Sequence, residues 1–84
     1  MERHAKNILQ LIEQHSGEWS WYQLARSDFG VELAQDGENL TRILKVLKES
    51  GHIEEIAGHN SSQPLYVITE LGREAAQQIN YPTT

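Results

Sequence analysis

Apolar and polar positions along this chain follow two periods, and the switches between them outline its elements. From His4 to His15, the residues Ala5, Ile8, Leu9, Leu11 and Ile12 recur at three-four spacing, which predicts a helix with one apolar stripe. Arg3, Lys6, Gln10, Glu13 and Gln14 fall on its wet side, and Ser16-Gly17 ends it, Gly17 suiting a left-handed position. A second, short helix starts at Ser20. Ser20 and Gln23 have capping-box spacing, in which each side chain satisfies the other residue's free N–H, and Trp21, Leu24 and Ala25 form the expected buried face. This helix is expected to fade near Ser27-Asp28. The stretch Phe29 to Gly37 supports one helical turn over Val31 to Gln35, with Asp36 as the N-cap of the next helix.

The strongest period lies at Leu40, Ile43, Leu44 and Leu47, a helix that Gly51 stops, with Thr41, Arg42, Lys45, Lys48 and Glu49 on its opposite side. The pattern then shortens. His52 to Ile56 reads as a strand with Ile53 and Ile56 as core contacts, and Leu65 to Thr69 as a second one, rich in β-branched and aromatic residues. The polar cluster Gly58 to Pro64 joins them into a hairpin. Thr69 is placed to cap a last helix, Glu70 to Ile79, whose buried face is expected at Leu71, Ala75 and Ile79. The arrangement predicts one domain over residues 1–80 and a frayed tail at 81–84.

Composition narrows the classes. Eighty-four residues allow one small core and leave little room for a deep substrate cleft. With no cysteine, disulfides and thiolate metal sites are excluded. The apolar runs are too short and too interrupted to cross a membrane, and the N-terminus does not read as a signal peptide, so the cytoplasm is the expected compartment. The formal net charge is −5, from 7 Lys and Arg against 12 Asp and Glu. A basic surplus usually accompanies nucleic-acid binding, so the distribution of charge has to decide that question.

The element order also carries a resemblance. Leu44-Lys-Val-Leu47-Lys-Glu-Ser-Gly51-His-Ile53 resembles the exit of the recognition helix in bacterial winged-helix regulators. Tyr66-Val-Ile68-Thr69-Glu-Leu-Gly72-Arg is similar to the second wing strand and following helix start of MarR-like and PadR-like regulators. The likeness runs from Ser20 to Ala76. It implies an α+β winged helix-turn-helix fold: a three-helix core, a β-hairpin wing and a short C-terminal helix. It also implies a DNA-binding transcriptional regulator, with the Leu40–Ser50 helix in the major groove of double-stranded DNA and the wing on the backbone. Carried onto this chain, the groove residues are Asn39, Thr41, Arg42 and Lys45, with Lys48 on phosphate. The wing residues are His59, Asn60, Ser61 and Ser62, which equally fit a plain polar loop. The stretch between Ala25 and Leu40 is longer than the resemblance implies. It is also acidic, with Asp28, Glu32, Asp36 and Glu38.

Trp19, Trp21 and Tyr22 cannot all point inward from one face, so at least one is expected at a partner surface. The first and last helices are candidates for a homodimer interface. Neither a nucleophile motif nor a phosphate-binding glycine loop occurs, and no two histidines share helical metal spacing. His52-Ile-Glu54-Glu55 lies on a strand that alternates its faces, with no further ligand near in sequence. No catalytic residue, cofactor or metal is expected. Two readings remain open: a DNA-binding regulator, or a winged-helix module that binds a protein partner.

Overall fold

The computed structural model describes residues 2–58 and 63–77. Among these, five helices and one antiparallel hairpin form an α+β unit. The helices are α1 (Arg3–Gln14), α2 (Trp21–Arg26), α3 (Asp28–Gln35), α4 (Leu40–Glu49) and α5 (Glu70–Gln77); the strands are β1 (Ile53–Ala57) and β2 (Pro64–Ile68). No described helix is long and apolar enough to cross a membrane.

The α1 helix forms where the apolar stripe predicts it. Its N-cap is Glu2, whose carboxylate accepts from the backbone N–H groups of His4 (3.0 Å) and Ala5 (3.1 Å). Two otherwise orphaned donors are thereby satisfied. Ala5, Ile8, Leu9 and Ile12 are buried, joined by His4, while Leu11 is only partly covered.

After α1 the chain runs alongside β2. Gly17 N–H donates to Tyr66 O (2.8 Å), Tyr66 N–H to Trp19 O (3.1 Å), and Ile68 N–H to Ser16 Oγ (3.0 Å). At Ser20 the Gln23 arm of the expected capping box is made: Gln23 Oε1 accepts the Ser20 N–H at 2.9 Å and also the Ser20 hydroxyl.

The next element corrects the sequence reading. Instead of one turn over Val31 to Gln35, a full eight-residue helix starts at Asp28. Ser27 makes this possible by ending one helix and starting the next: its hydroxyl donates to Leu24 O (2.6 Å) and accepts from Gly30 N–H (3.1 Å). Gly30 then lets α3 lie directly on α2, since a Cβ there would fall 2.1 Å from Leu24 O. Asp36 is likewise not the N-cap of α4. It closes α3, and Asn39 caps α4, its Oδ1 accepting from Arg42 N–H at 3.2 Å.

The α4 helix buries Leu40, Ile43, Leu44 and Leu47 as expected, and Gly51 comes after it with φ +82°. In the hairpin, Ile53 pairs with Ile68, Glu55 with Tyr66 and Ile56 with Leu65. Ile53 is buried but Ile56 is 44% exposed, which overturns its expected core role. The reason is the strand period of two: residues three apart cannot face the same side.

Thr69 caps α5 as its position predicts. Its hydroxyl accepts from Gly72 N–H (3.0 Å) and donates towards Gly51 O (2.6 Å) and His52 O (3.0 Å). The buried face of α5 is not the expected one. Gly72 and Ala76 face inward, Ala75 is half-buried, Leu71 is 50% exposed, and Ile79 lies outside the described residues. Gly72 sets this rotation, because a Cβ there would sit 1.9 Å from His52 O. The α1 and α5 helices pack together, with Gln10 Nε2 donating to Ala76 O (3.2 Å) and Gln77 Nε2 to Glu13 Oε2 (3.0 Å). A single apolar core joins α1, α2, α3, α4, the hairpin and Ala76.

Candidate functional site

With its apolar stripe buried, α4 turns Thr41, Arg42, Lys45, Val46, Lys48 and Glu49 to solvent. The expected cations therefore share one open helical face. Carboxylates share it too. Lys45 Nζ lies 4.0 Å from Glu49 Oε1 within the helix, and Lys48 Nζ lies 3.0 Å from Glu55 Oε1 on β1. Arg42 lines a hollow of about 300 Å³ with Glu2, Glu38, Ala5, Ile43 and Val46. Three cations thus stand among Glu2, Glu38, Glu49 and Glu55.

These pairs are open to water. The Lys45 and Lys48 side chains are 75% and 55% exposed, against 66% for Glu49 and 33% for Glu55. Exposed pairs of this kind contribute about 0–1 kcal/mol and exchange readily for other anions.

The two uncharged groove candidates have structural partners. Asn39 Oδ1 is occupied as the α4 cap, leaving its amide N–H groups for contacts outward. Thr41 Oγ1 accepts from Trp21 Nε1 at 3.1 Å, which ties α2 to the start of α4. The wing candidates His59, Asn60, Ser61 and Ser62 lie outside the described residues.

The aromatic cluster divides. Trp19 is partly buried against the core and stacks on His15, with ring centroids 3.8 Å apart and planes 3° from parallel. Trp21 is also partly buried, and meets Tyr22 edge-on at 5.4 Å. Tyr22 is the exposed member, at 50%.

The acidic segment before α4 is also redistributed. Glu32 and Asp36 turn towards α1, where Arg3 Nη2 lies 3.5 Å from Glu32 Oε1 and 3.1 Å from Asp36 Oδ2. His4 Nε2 reaches the same Asp36 oxygen at 2.8 Å. Asp28 sits in the first turn of α3, where negative charge suits the helix dipole. Of the four acidic residues in this segment, Glu38 is the one that shares a hollow with Arg42 of α4. Sequence spacing could not find this grouping of His4, Glu32 and Asp36, because it joins two helices across 32 residues. Its single local trace is the four-residue step from Glu32 to Asp36, which puts both on one helical face. Among the described residues, no other group of three or more His, Cys, Asp or Glu side chains converges in this way.

Two ionisable groups near these elements depart from their ordinary behaviour. The Glu2 carboxyl titrates below its usual range, mainly because the His4 backbone N–H bonds to its charged form. Tyr66 is pushed up, first by burial and then by the nearby negative charge of Glu55.

In comparisons with protein-family models, curated proteins and solved structures, nothing matches this chain.

Proposed function

We propose that this chain is a winged-helix DNA-binding domain of the kind that bacterial transcriptional regulators use, with α4 entering the major groove. The observation that carries the reading is the outer face of α4, where Arg42, Lys45 and Lys48 stand exposed on a helix whose opposite side is locked into the core. A helix so presented fits a groove, and Arg42 has the fork geometry that pairs with a guanine edge. Lys45 and Lys48 exchange weak surface partners for phosphates. The α1–α3 ion cluster supports the same reading, since it draws Glu32 and Asp36 away from α4. The hairpin serves as the wing, and a homodimer on paired half-sites is the matching assembly.

The test is fluorescence anisotropy of a labelled random duplex at 50 and 200 mM salt. Affinity is expected to fall with salt, from non-specific Kd values on the order of 10⁻⁴ to 10⁻⁶ M. The double variant Arg42→Ala with Lys45→Ala loses binding and flattens the salt dependence. Retained binding in that variant rejects α4 as the reading helix.

A second reading has its own observation: Glu38, Glu49 and Glu55 interleave with the cations of α4. Such a mixed face, beside exposed Val46 and Tyr22, also suits a protein partner. Absence of duplex affinity at 50 mM salt favours this alternative.

A further inference from the structure

The first turn of α1 and the last turn of α3 bring one imidazole nitrogen and two carboxylates to a single point. His4 Nε2 lies 2.8 Å from Asp36 Oδ2, and Glu32 adds the second carboxylate from the preceding turn of α3. One donor atom from each of the three lies within 4.8 Å of the others. The cluster has a protein side and a water side. The His4 ring is 6% exposed, whereas the Glu32 and Asp36 side chains are 45% and 47% exposed. Across the water side stands Arg3, itself 66% exposed, with Nη2 3.1 Å from Asp36 and 3.5 Å from Glu32.

We propose that His4, Glu32 and Asp36 form a binding site for a first-row transition-metal dication of the Zn²⁺ class, and that Arg3 is the resident counter-cation which the metal displaces. The donor set selects the class of ion. One imidazole nitrogen with two carboxylate oxygens suits zinc and its neighbours. Calcium and magnesium prefer oxygen alone, and Cu(I) prefers sulfur. Three protein ligands leave one tetrahedral position for water.

The geometry is near what coordination needs. Tetrahedral bonds of 2.0–2.2 Å separate neighbouring donors by about 3.4 Å. The His4–Asp36 contact therefore opens by roughly half an ångström, and Glu32 closes by a side-chain rotation. Neither move disturbs the core, because both carboxylates lie at the surface end of the cluster. Burial holds the His4 ring in place, so that ligand is already oriented.

Charge explains why Arg3 gives way. Two carboxylates carry two negative charges, and one guanidinium cancels half of them. A dication cancels both, and the exposed Arg3 pairs are cheap to break. The same Arg3 that stabilises the empty cluster thereby sets the threshold for metal.

The site is tested by titrating ZnCl₂ into the full chain at pH 7.5 by calorimetry, with Co²⁺ absorption as a second readout of geometry. One equivalent is expected to bind, with visible Co²⁺ bands of tetrahedral intensity. Asp36→Asn and Glu32→Gln each weaken binding by at least about tenfold while leaving the helical circular dichroism intact, since neither side chain belongs to the core. Arg3→Ala strengthens binding several-fold, an effect that a purely structural ion cluster would not produce. The proposal is overturned by the absence of saturable binding below about 1 mM, or by binding that both carboxylate variants leave unchanged. An unaltered affinity in Arg3→Ala overturns the displacement. None of these outcomes depends on whether α4 binds DNA.

Discussion

The two ends of α4 are held by different kinds of contact. At the C-terminal end the chain enters a run of main-chain bonds: His52 N–H to Leu47 O (2.9 Å), Gly51 N–H to Lys48 O (3.1 Å) and Thr69 N–H to His52 O (3.1 Å). Gly72 packs its bare backbone on His52 O, and the Thr69 hydroxyl bonds Gly51 and His52. At the N-terminal end side chains add to the main-chain bond of the α3–α4 turn, Glu38 N–H to Leu33 O (2.9 Å): Asn39 on Arg42 N–H, the partly buried Trp21 on Thr41, and exposed Arg3 with buried His4 on the Asp36 that closes α3. Backbone contacts of the first kind are built into the path of the chain itself. Side-chain contacts of the second kind compete with water, salt and ligands. The exit of the helix is therefore held mainly through main chain, and its entrance to a larger extent through side chains.

This contrast can be broken by substitution, starting at the exit. Gly72→Ala forces a Cβ against the His52 carbonyl and is expected to cost about 2–4 kcal/mol in urea unfolding, despite the better helix propensity of alanine. Next, Thr69→Ala removes the α5 cap and is expected to cost about 1–2 kcal/mol, whereas Asn39→Ala at the entrance costs about 1 kcal/mol or less. An Asn39→Ala loss equal to that of Gly72→Ala would erase the contrast.

The smallest effect concerns Glu2, which caps α1 and lines the hollow with Arg42. Its folded carboxyl is held below the unfolded value, so the stability it contributes is present above that unfolded value and is lost as pH falls through the folded one. Glu2→Gln is expected to lower the melting temperature slightly at pH 7, with the difference from the parent chain shrinking as the medium is acidified through the lowered Glu2 pKa. A difference that does not change with acidification would assign the effect to packing instead of charge.

What the sequence made legible was local. The apolar stripes of α1 and α4, the Ser20–Gln23 pair and the Thr69 cap each depend on residues within one or two turns, and all are present. The full length of α3 is hidden because its support is tertiary. Gly30, in the first turn of α3, is a poor helix former by propensity, and its place there follows from the contact it permits with the Leu24 carbonyl. Ile56 is misplaced by applying a helical step to a strand, and Leu71 because the rotation of α5 is set by His52, on the far side of the hairpin. At the candidate site, the cations of α4 are readable from their spacing. Their carboxylate partners are less so: Lys48 meets Glu55 only after the turn at Gly51 brings β1 back.

The strip of chain between α1 and α2 has one more consequence. Because Gly17 and Trp19 bond to Tyr66, β2 is occupied on both of its sides. Any further strand would have to join along β1, where Glu54 and Glu55 are exposed. A second copy of the same strand would bring another acidic pair against the first, and like charges placed together discourage that growth. The short crossing at residues 16–19 thus closes one route to fibrous self-association, and the glutamates of β1 guard the other.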